Sequence, residues 1–137
     1  MTELDLVTKT AELLKPKGEV RMEYISASFS PMADKFRPDL VFFPTDRANK
    51  AFFVEYRNAS AAFFRSSLKA QVAQLIEHRD FIDFDRPITL HYAFATDASS
   101  DESLRAALQK QGIAYLCSVG SPEHLANKIT SWQISFT

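Results

Sequence analysis

Cysteine and glycine are scarce in this sequence. Cys117 is the only cysteine among 137 residues, so neither an intrachain disulfide framework nor a multi-cysteine zinc site can form. We therefore expect a reducing, cytoplasmic setting. The three glycines form no glycine-rich phosphate loop, and the three histidines lack the spacing of metal ligands. Nucleotide binding through such a loop and zinc binding are both disfavoured.

Long apolar runs and a strong net charge are also missing. No apolar stretch approaches membrane-spanning length, and the first twenty residues lack the pattern of a secretory signal. The formal net charge is -1, so no global basic field indicates a nucleic-acid partner. With 46% hydrophobic and 24% charged residues, the composition is typical of a globular protein. We expect one soluble domain spanning residues 1–137, with no membrane partner.

The charge distribution along the chain is uneven. Residues 47–69 hold five basic side chains against one acid, a local balance of +4. Residues 80–102 hold six acids against one arginine, a balance of -5. Ordinary solvated faces often carry such imbalances. The basic segment is therefore either a solvated face or a surface that follows a phosphate backbone.

The apolar patterning predicts an α/β fold with the element order α-βββ-α-β-α-β-α. Three consecutive strands followed by a helix and a strand imply a central mixed sheet flanked by helices. The last predicted helix is followed by a possible edge strand over residues 132–136. The predicted helices cover residues 2–15, 60–81, 101–111 and 122–132, and the predicted strands cover residues 19–29, 39–43, 51–56, 88–95 and 113–119.

The ends and faces of these elements can be predicted from individual residues. Thr2 and Asp5 form a capping box for the first helix, and the third helix is expected to be capped by Ser99 or Ser100. Glu12 lies opposite the apolar stripe of the first helix and is expected to be solvated. That stripe consists of Leu4, Val7, Ala11 and Leu14.

Two acidic residues fall on strands that are expected to pair. If Asp39 lies opposite Glu55 in an antiparallel hairpin, paired positions sum to 94, and Phe42 faces Phe52. This register closes on a loop over residues 44–50. Directly opposed residues share one face of the sheet, with Cβ atoms about 4.5–5.5 Å apart. The two carboxylates would then be close enough to hold one cation.

A pair of like charges in an apolar hairpin is destabilising unless something neutralises it. Mg²⁺ or Mn²⁺ fits, because both prefer oxygen ligands, and the main-chain carbonyl of Tyr56 can supply a third oxygen. The alternative is structural. Asp39 would then only end the turn after Pro38, and Glu55 would pair with Arg57 or another basic side chain.

The segments that carry this acid pair resemble a known nuclease signature. Residues 37–39 read RPD and residues 54–57 read VEYR, which resembles the PD-(D/E)XK pattern of the restriction-endonuclease-like superfamily. The resemblance implies a restriction-endonuclease-like core in which Asp39 and Glu55 are metal ligands. It also implies a Mg²⁺-dependent endonuclease that hydrolyses phosphodiester bonds in DNA as a homodimer.

Arg57 departs from the family pattern, because it occupies the position of the motif lysine. Arginine cannot act as a base in proteins, but it can stabilise developing negative charge. A lysine on the following helix could replace it, and Lys69 is the candidate; Gln71 or Gln74 could lie near the metal. Each of these helix residues could equally be an ordinary exposed residue. The residues expected to contact DNA are Arg47, Arg65, Lys69 and Gln71.

Three functional hypotheses follow. The leading one is a metal-dependent DNA endonuclease that uses Asp39, Glu55 and Arg57. The first alternative is a catalytically inactive member of the same fold that binds nucleic acid or a protein. The second is an unrelated α/β interaction domain, in which the carboxylates of Asp39 and Glu55 point away from each other.

Overall fold

The computed structural model describes residues 2–22, 39–47, 49–59 and 88–135. The predicted α/β class and mixed sheet are confirmed. The predicted helix over residues 60–81 and the second half of the first predicted strand lie outside the described residues. The described elements are α1 (Glu3–Leu14), a 3-10 turn (Lys15–Lys17), β1 (Gly18–Met22), β2 (Leu40–Pro44), β3 (Lys50–Arg57), β4 (Thr89–Thr96), α2 (Glu102–Lys110), β5 (Ile113–Leu116) and α3 (Pro122–Ile134).

The five described strands form one sheet in the order β1-β2-β3-β4-β5. The pairs β1–β2 and β2–β3 are antiparallel, whereas β3, β4 and β5 run parallel to one another. Consequently β2 begins at the same edge of the sheet at which β3, β4 and β5 end. We call this edge, marked by Leu40, Arg57, Thr96 and Leu116, the carboxyl edge.

The hairpin of β2 and β3 has the predicted register. Phe42 pairs with Phe52 and Leu40 pairs with Val54, so paired positions sum to 94. Both strands are buried on their two faces, which explains why their sequences read as continuous apolar runs. The turn is closed by hydrogen bonds from the Arg47 N–H to the Pro44 carbonyl and from the Lys50 N–H to the Arg47 carbonyl.

The described helices cover both faces of the sheet. On one face α1 and α3 pack together against a cluster that includes Phe42 and Val54. On the other face α2 inserts Leu108 into a cluster that includes Phe53 and Phe94. None of the helices in the described part of the chain is long and apolar enough to cross a membrane.

The buried face of α1 differs from the predicted stripe. Thr2 caps the helix as expected, because its Oγ1 accepts a hydrogen bond from the Asp5 N–H at 3.0 Å. The prediction that Leu4 faces the core is wrong, since its exposed fraction is 63%. Thr10 is fully buried instead, and its hydroxyl donates to the Leu6 carbonyl at 2.7 Å. With its polar group satisfied, a threonine can occupy a core position.

Three further predictions of element ends need correction. The cap of α2 is Asp101, whose side chain accepts from the Leu104 N–H, rather than Ser99 or Ser100. Strand β5 ends at Leu116 and does not extend to Val119. The possible C-terminal edge strand is wrong over the described residues, because α3 continues through Trp132 to Ile134. Trp132 packs edge-on against Phe52 with ring centroids 5.0 Å apart.

Candidate functional site

The acid pair lies at the carboxyl edge of the sheet. Asp39 directly precedes β2, and Glu55 and Arg57 are among the last three residues of β3. Alternation along β3 places Glu55 and Arg57 on the same face as Phe53, which is the face covered by α2. The confirmed register extends naturally to Asp39 opposite Glu55. The hairpin thus brings two distant carboxylates to one point.

Asp39 is tied to β3 through both its side chain and its backbone. Its Oδ2 accepts a hydrogen bond from the Tyr56 N–H at 2.8 Å. Its own backbone forms a hydrogen bond with the Glu55 carboxylate. Because each acid is held by the backbone of the opposite strand, the two carboxylates converge. The arrangement required by the interaction-domain hypothesis, with the carboxylates pointing apart, does not occur.

The Arg57 guanidinium contacts three oxygen atoms at once. Its Nη1 donates to the Tyr56 carbonyl oxygen at 2.7 Å and to Asp39 Oδ2 at 3.1 Å, and lies 3.5 Å from Glu55 Oε2. These are the same three oxygens that the sequence predicts as metal ligands. A single cationic nitrogen therefore occupies the point on which they converge.

The two acids differ in how deeply they are buried. The Glu55 side chain is only 7% exposed, against 26% for Asp39. Burial, and after it the charge of Asp39, raise the pKa of Glu55 to about 8, and Arg57 opposes the shift. Burial also raises the pKa of Asp39, against hydrogen bonds from the Tyr56 N–H and Arg57. Near neutral pH the pair therefore favours a proton or an additional positive charge.

The donor set suits a hard divalent cation. Two carboxylates and one main-chain carbonyl are oxygen ligands of the kind that Mg²⁺ and Mn²⁺ prefer. Within the described ranges no group of three or more His, Cys, Asp or Glu side chains could hold a metal ion, so the carbonyl of Tyr56 is needed. Mg²⁺ requires contacts of about 2.1 Å. The oxygens would have to close around the ion in place of the Arg57 nitrogen.

Glu3 is an acid near the pair that sequence reasoning did not identify. Its Oε1 accepts a hydrogen bond from the Asn58 N–H at 2.9 Å, and its charge raises the pKa of Asp39 and of Glu55. On the same helix Glu12 is exposed, as expected. Only the topology of the chain could have indicated Glu3 from the sequence. A helix joined by a short turn to an antiparallel strand begins at the edge where that strand ends.

The other predicted site residues are not brought to this point within the described residues. Arg47 lies in the turn at the far end of the hairpin, about 17 Å along β2 from Asp39 at about 3.4 Å per residue. Its side chain is 16% exposed and pairs with Asp46 at 2.7 Å. Its role in binding DNA stays a prediction. Arg65, Lys69, Gln71 and Gln74 lie outside the described residues.

A second cationic group lies on the same face of the sheet. Glu55 pairs with Phe94, which pairs with Tyr115, so Tyr115 is two strands, or about 9.6 Å, from Glu55. The Arg105 guanidinium lies 5.0 Å from the centre of the Tyr115 ring. It also donates to Ser100 Oγ at 3.2 Å. The sequence offered no signal for this pair, because Arg105 and Tyr115 meet only through the pairing of α2 with β5.

Comparisons of the chain with protein-family models, with curated protein sequences and with solved structures gave no match in any of the three. The PD-(D/E)XK resemblance thus rests on the chain itself. It rests on the motif residues and on the hairpin geometry that brings Asp39 and Glu55 together.

Proposed function

We propose that this protein is a metal-dependent DNA endonuclease of the PD-(D/E)XK type, with Asp39, Glu55 and the Tyr56 carbonyl as the ligands of Mg²⁺ or Mn²⁺. The observation that carries the proposal is the convergence of these three oxygens on one cationic position. A structural ion pair needs only one acid for each base. Here two carboxylates and a carbonyl share one nitrogen of Arg57.

The position of the site supports the proposal. In open α/β sheets, ligands bind in crevices outside the carboxyl ends of parallel strands, and the acid pair lies at this edge. The antiparallel hairpin followed by a parallel strand pair also agrees with the element order that the resemblance implies. The proposal includes a cytoplasmic location and action on duplex DNA as a homodimer.

The chain would divide the chemistry among a few groups. A divalent ion at this position would polarise the scissile phosphate and acidify a water molecule for attack. Asp39 and Glu55 supply the negative charge that retains the ion. Arg57 is permanently charged and cannot accept a proton, so its contribution is to hold negative charge on the phosphate. Arg105, on the same face of the sheet as Glu55, would contact a neighbouring phosphate.

A second candidate is a catalytically inactive member of the same fold. It is favoured by one observation: Arg57 already neutralises the three oxygens that a metal would need. In that case the ion network stabilises the carboxyl edge, and the protein binds nucleic acid or a protein partner without cleaving it. The two candidates differ in activity and in their response to Arg57→Lys.

A cleavage assay separates these candidates. Supercoiled, linear duplex and single-stranded DNA are incubated with the protein in Mg²⁺, in Mn²⁺ or in chelator. We expect cleavage that requires a metal and is abolished by Glu55→Ala. Glu12→Ala is the matched control, because Glu12 is exposed on α1, and it should leave the rate unchanged. Arg57→Lys should raise the rate, since an ammonium is more compact than a guanidinium.

The outcomes of this assay are decisive for the proposal. If Arg57→Lys lowers the rate, Arg57 is an adapted part of a working site. If wild type and Arg57→Lys are both inert with every DNA form and with both metals, the endonuclease proposal fails. The inactive binding protein then takes its place.

A further inference from the structure

The contacts of Arg57 reveal more than a salt bridge. Among the described residues, one nitrogen, Nη1, contacts the Tyr56 carbonyl, Asp39 and Glu55. Among these oxygens, the Tyr56 carbonyl is neutral and belongs to the neighbouring residue. A guanidinium that served only to pair with an acid would gain most from a bidentate contact with one carboxylate. Arg57 instead presents one nitrogen to three separate oxygens, as a metal ion would.

Arg57 and a divalent ion cannot occupy this position together. Metal–oxygen contacts of about 2.1 Å would draw the three oxygens inward, into the space that Nη1 now fills. Two positive groups at this separation would also repel each other strongly, because little water screens them at the 7% exposed Glu55. The guanidinium can swing into solvent, since Arg57 is the last residue of β3 and its side chain is 24% exposed.

We propose that Arg57 is a built-in counter-cation that keeps the acid pair assembled and must be displaced before a divalent ion can bind. The inference rests on the proposed function in taking a divalent metal as the intended occupant. It adds that Arg57 sets the metal affinity of the site. The intact protein therefore binds the metal weakly, and loss of the guanidinium strengthens binding.

Metal affinity can be measured without nucleic acid and without activity. Mn²⁺ binding to the full chain is followed by calorimetry in wild type and in Arg57→Met. We expect the dissociation constant to fall by about tenfold or more in Arg57→Met, equivalent to about 1.4 kcal/mol, because the metal no longer has to displace a guanidinium from the same oxygens. Arg57→Gln provides a second neutral variant if Arg57→Met does not fold. Adding Asp39→Asn to either variant should abolish the gain.

Arg21→Met is the matched control for this measurement. Arg21 is an arginine on the same sheet and pairs with Glu19 at 2.6 Å on the exposed strand β1. Its loss changes the net charge by the same amount and leaves the three oxygens untouched. Its dissociation constant for Mn²⁺ should equal that of wild type. A gain in Arg21→Met as large as that in the Arg57 variants would mean that net charge alone is responsible, and would overturn the proposal.

Displacement can be observed directly in wild type by nuclear magnetic resonance. The Arg57 guanidinium signals, assigned by side-chain correlations, should show restricted rotation in the metal-free protein. Saturation with Mg²⁺ should convert them to the averaged signals of a solvated arginine. Unchanged Arg57 signals at saturating Mg²⁺ would overturn the proposal, as would equal Mn²⁺ affinities in wild type and both neutral variants.

Failure of this inference is distinguishable from failure of the proposed function. If Mn²⁺ affinity rises in the Arg57 variants but no protein cleaves DNA, the counter-cation stands and the endonuclease fails. If wild type cleaves DNA and its Mn²⁺ affinity is indifferent to Arg57, the endonuclease stands and the counter-cation fails.

Discussion

Glu55 carries an ionisable group at a position where water barely reaches it. Taking a carboxylate out of water costs several kcal/mol even after the surroundings relax. The Asp39 backbone and the Arg57 guanidinium recover part of this cost. The remainder, together with repulsion from the charge of Asp39, appears as the raised pKa of about 8. A buried glutamate with a raised pKa does not stabilise the fold. Cation binding gives a functional reason for its presence.

The stability of the metal-free protein should depend on Glu55 in a defined pH range. In the unfolded chain Glu55 titrates near its ordinary pKa of 4.5, and in the folded protein near about 8. Between these values the folded state holds a proton that the unfolded state has lost, so the free energy of unfolding falls as pH rises from about 4.5 to about 8. Denaturant unfolding at a series of pH values should show this decline in wild type.

Glu55→Gln should flatten the decline, because glutamine cannot titrate. The control is Glu102→Gln at an exposed position, which should retain the wild-type slope. Parallel curves for wild type and Glu55→Gln would contradict the assignment of the raised pKa to this residue.

At the residue scale, the sequence predicted which groups meet but not how they meet. Alternation and turn length were sufficient to place Asp39 opposite Glu55. The conformation of Arg57 is set by side-chain torsions, which leave no trace in periodicity. Sequence reasoning offered Arg57 either as a partner of Glu55 or as a phosphate clamp. The structure has it contact Asp39 and the Tyr56 carbonyl as well.

At the element scale, prediction succeeded where a pattern had one solution. The apolar strands β2 and β3 could pair in few registers around a short turn, and the predicted one is confirmed. The stripe of α1 was less constrained. Leu4 fits the helical period, but the buried part of α1 begins two residues later, at Leu6. The last helix continues beyond its predicted end at Trp132 because Gln133, although polar, is buried and keeps the helical period.

Gly18 is a position in β1 where an added side-chain atom has no room. It pairs with Pro44 where β1 begins, and an added Cβ would overlap the Phe43 carbonyl oxygen and lie 2.9 Å from the Pro44 Cα. Both atoms are backbone, so no flexible side chain can yield. Gly18→Ala should lower the free energy of unfolding by about 2 kcal/mol, measured by denaturant unfolding.

Gly120→Ala is the matched control for Gly18→Ala. A Cβ at Gly120 would meet only His124 Nδ1, at an ordinary 3.7 Å. Its effect should stay within about 0.5 kcal/mol. Equal losses in the two variants would show that the close approach of β1 to β2 does not limit this position.

At the scale of the whole molecule, the site is assembled from parts of the chain that are far apart in sequence. The edge that holds Asp39 also receives the start of α1, with Glu3, and the ends of the parallel strands. Local patterning predicts each element but not which strand ends share an edge. The approach of Arg105 to Tyr115 likewise depends on strand order. The homodimer stays a prediction.

The central claim is that Asp39, Glu55 and the Tyr56 carbonyl form one divalent cation position, and a thermal unfolding series with Mn²⁺ tests it most directly. A ligand that binds only the folded state raises its stability by mass action, and about 1 kcal/mol raises the melting temperature by roughly 3–4 °C at this chain length. We predict a rise in wild type that grows with Mn²⁺ concentration and is absent in Asp39→Asn. Asp46→Asn, which removes an exposed acid at the other end of the hairpin, should keep the rise. Equal rises in wild type and Asp39→Asn, or no rise in wild type and Arg57→Met alike, would contradict the account.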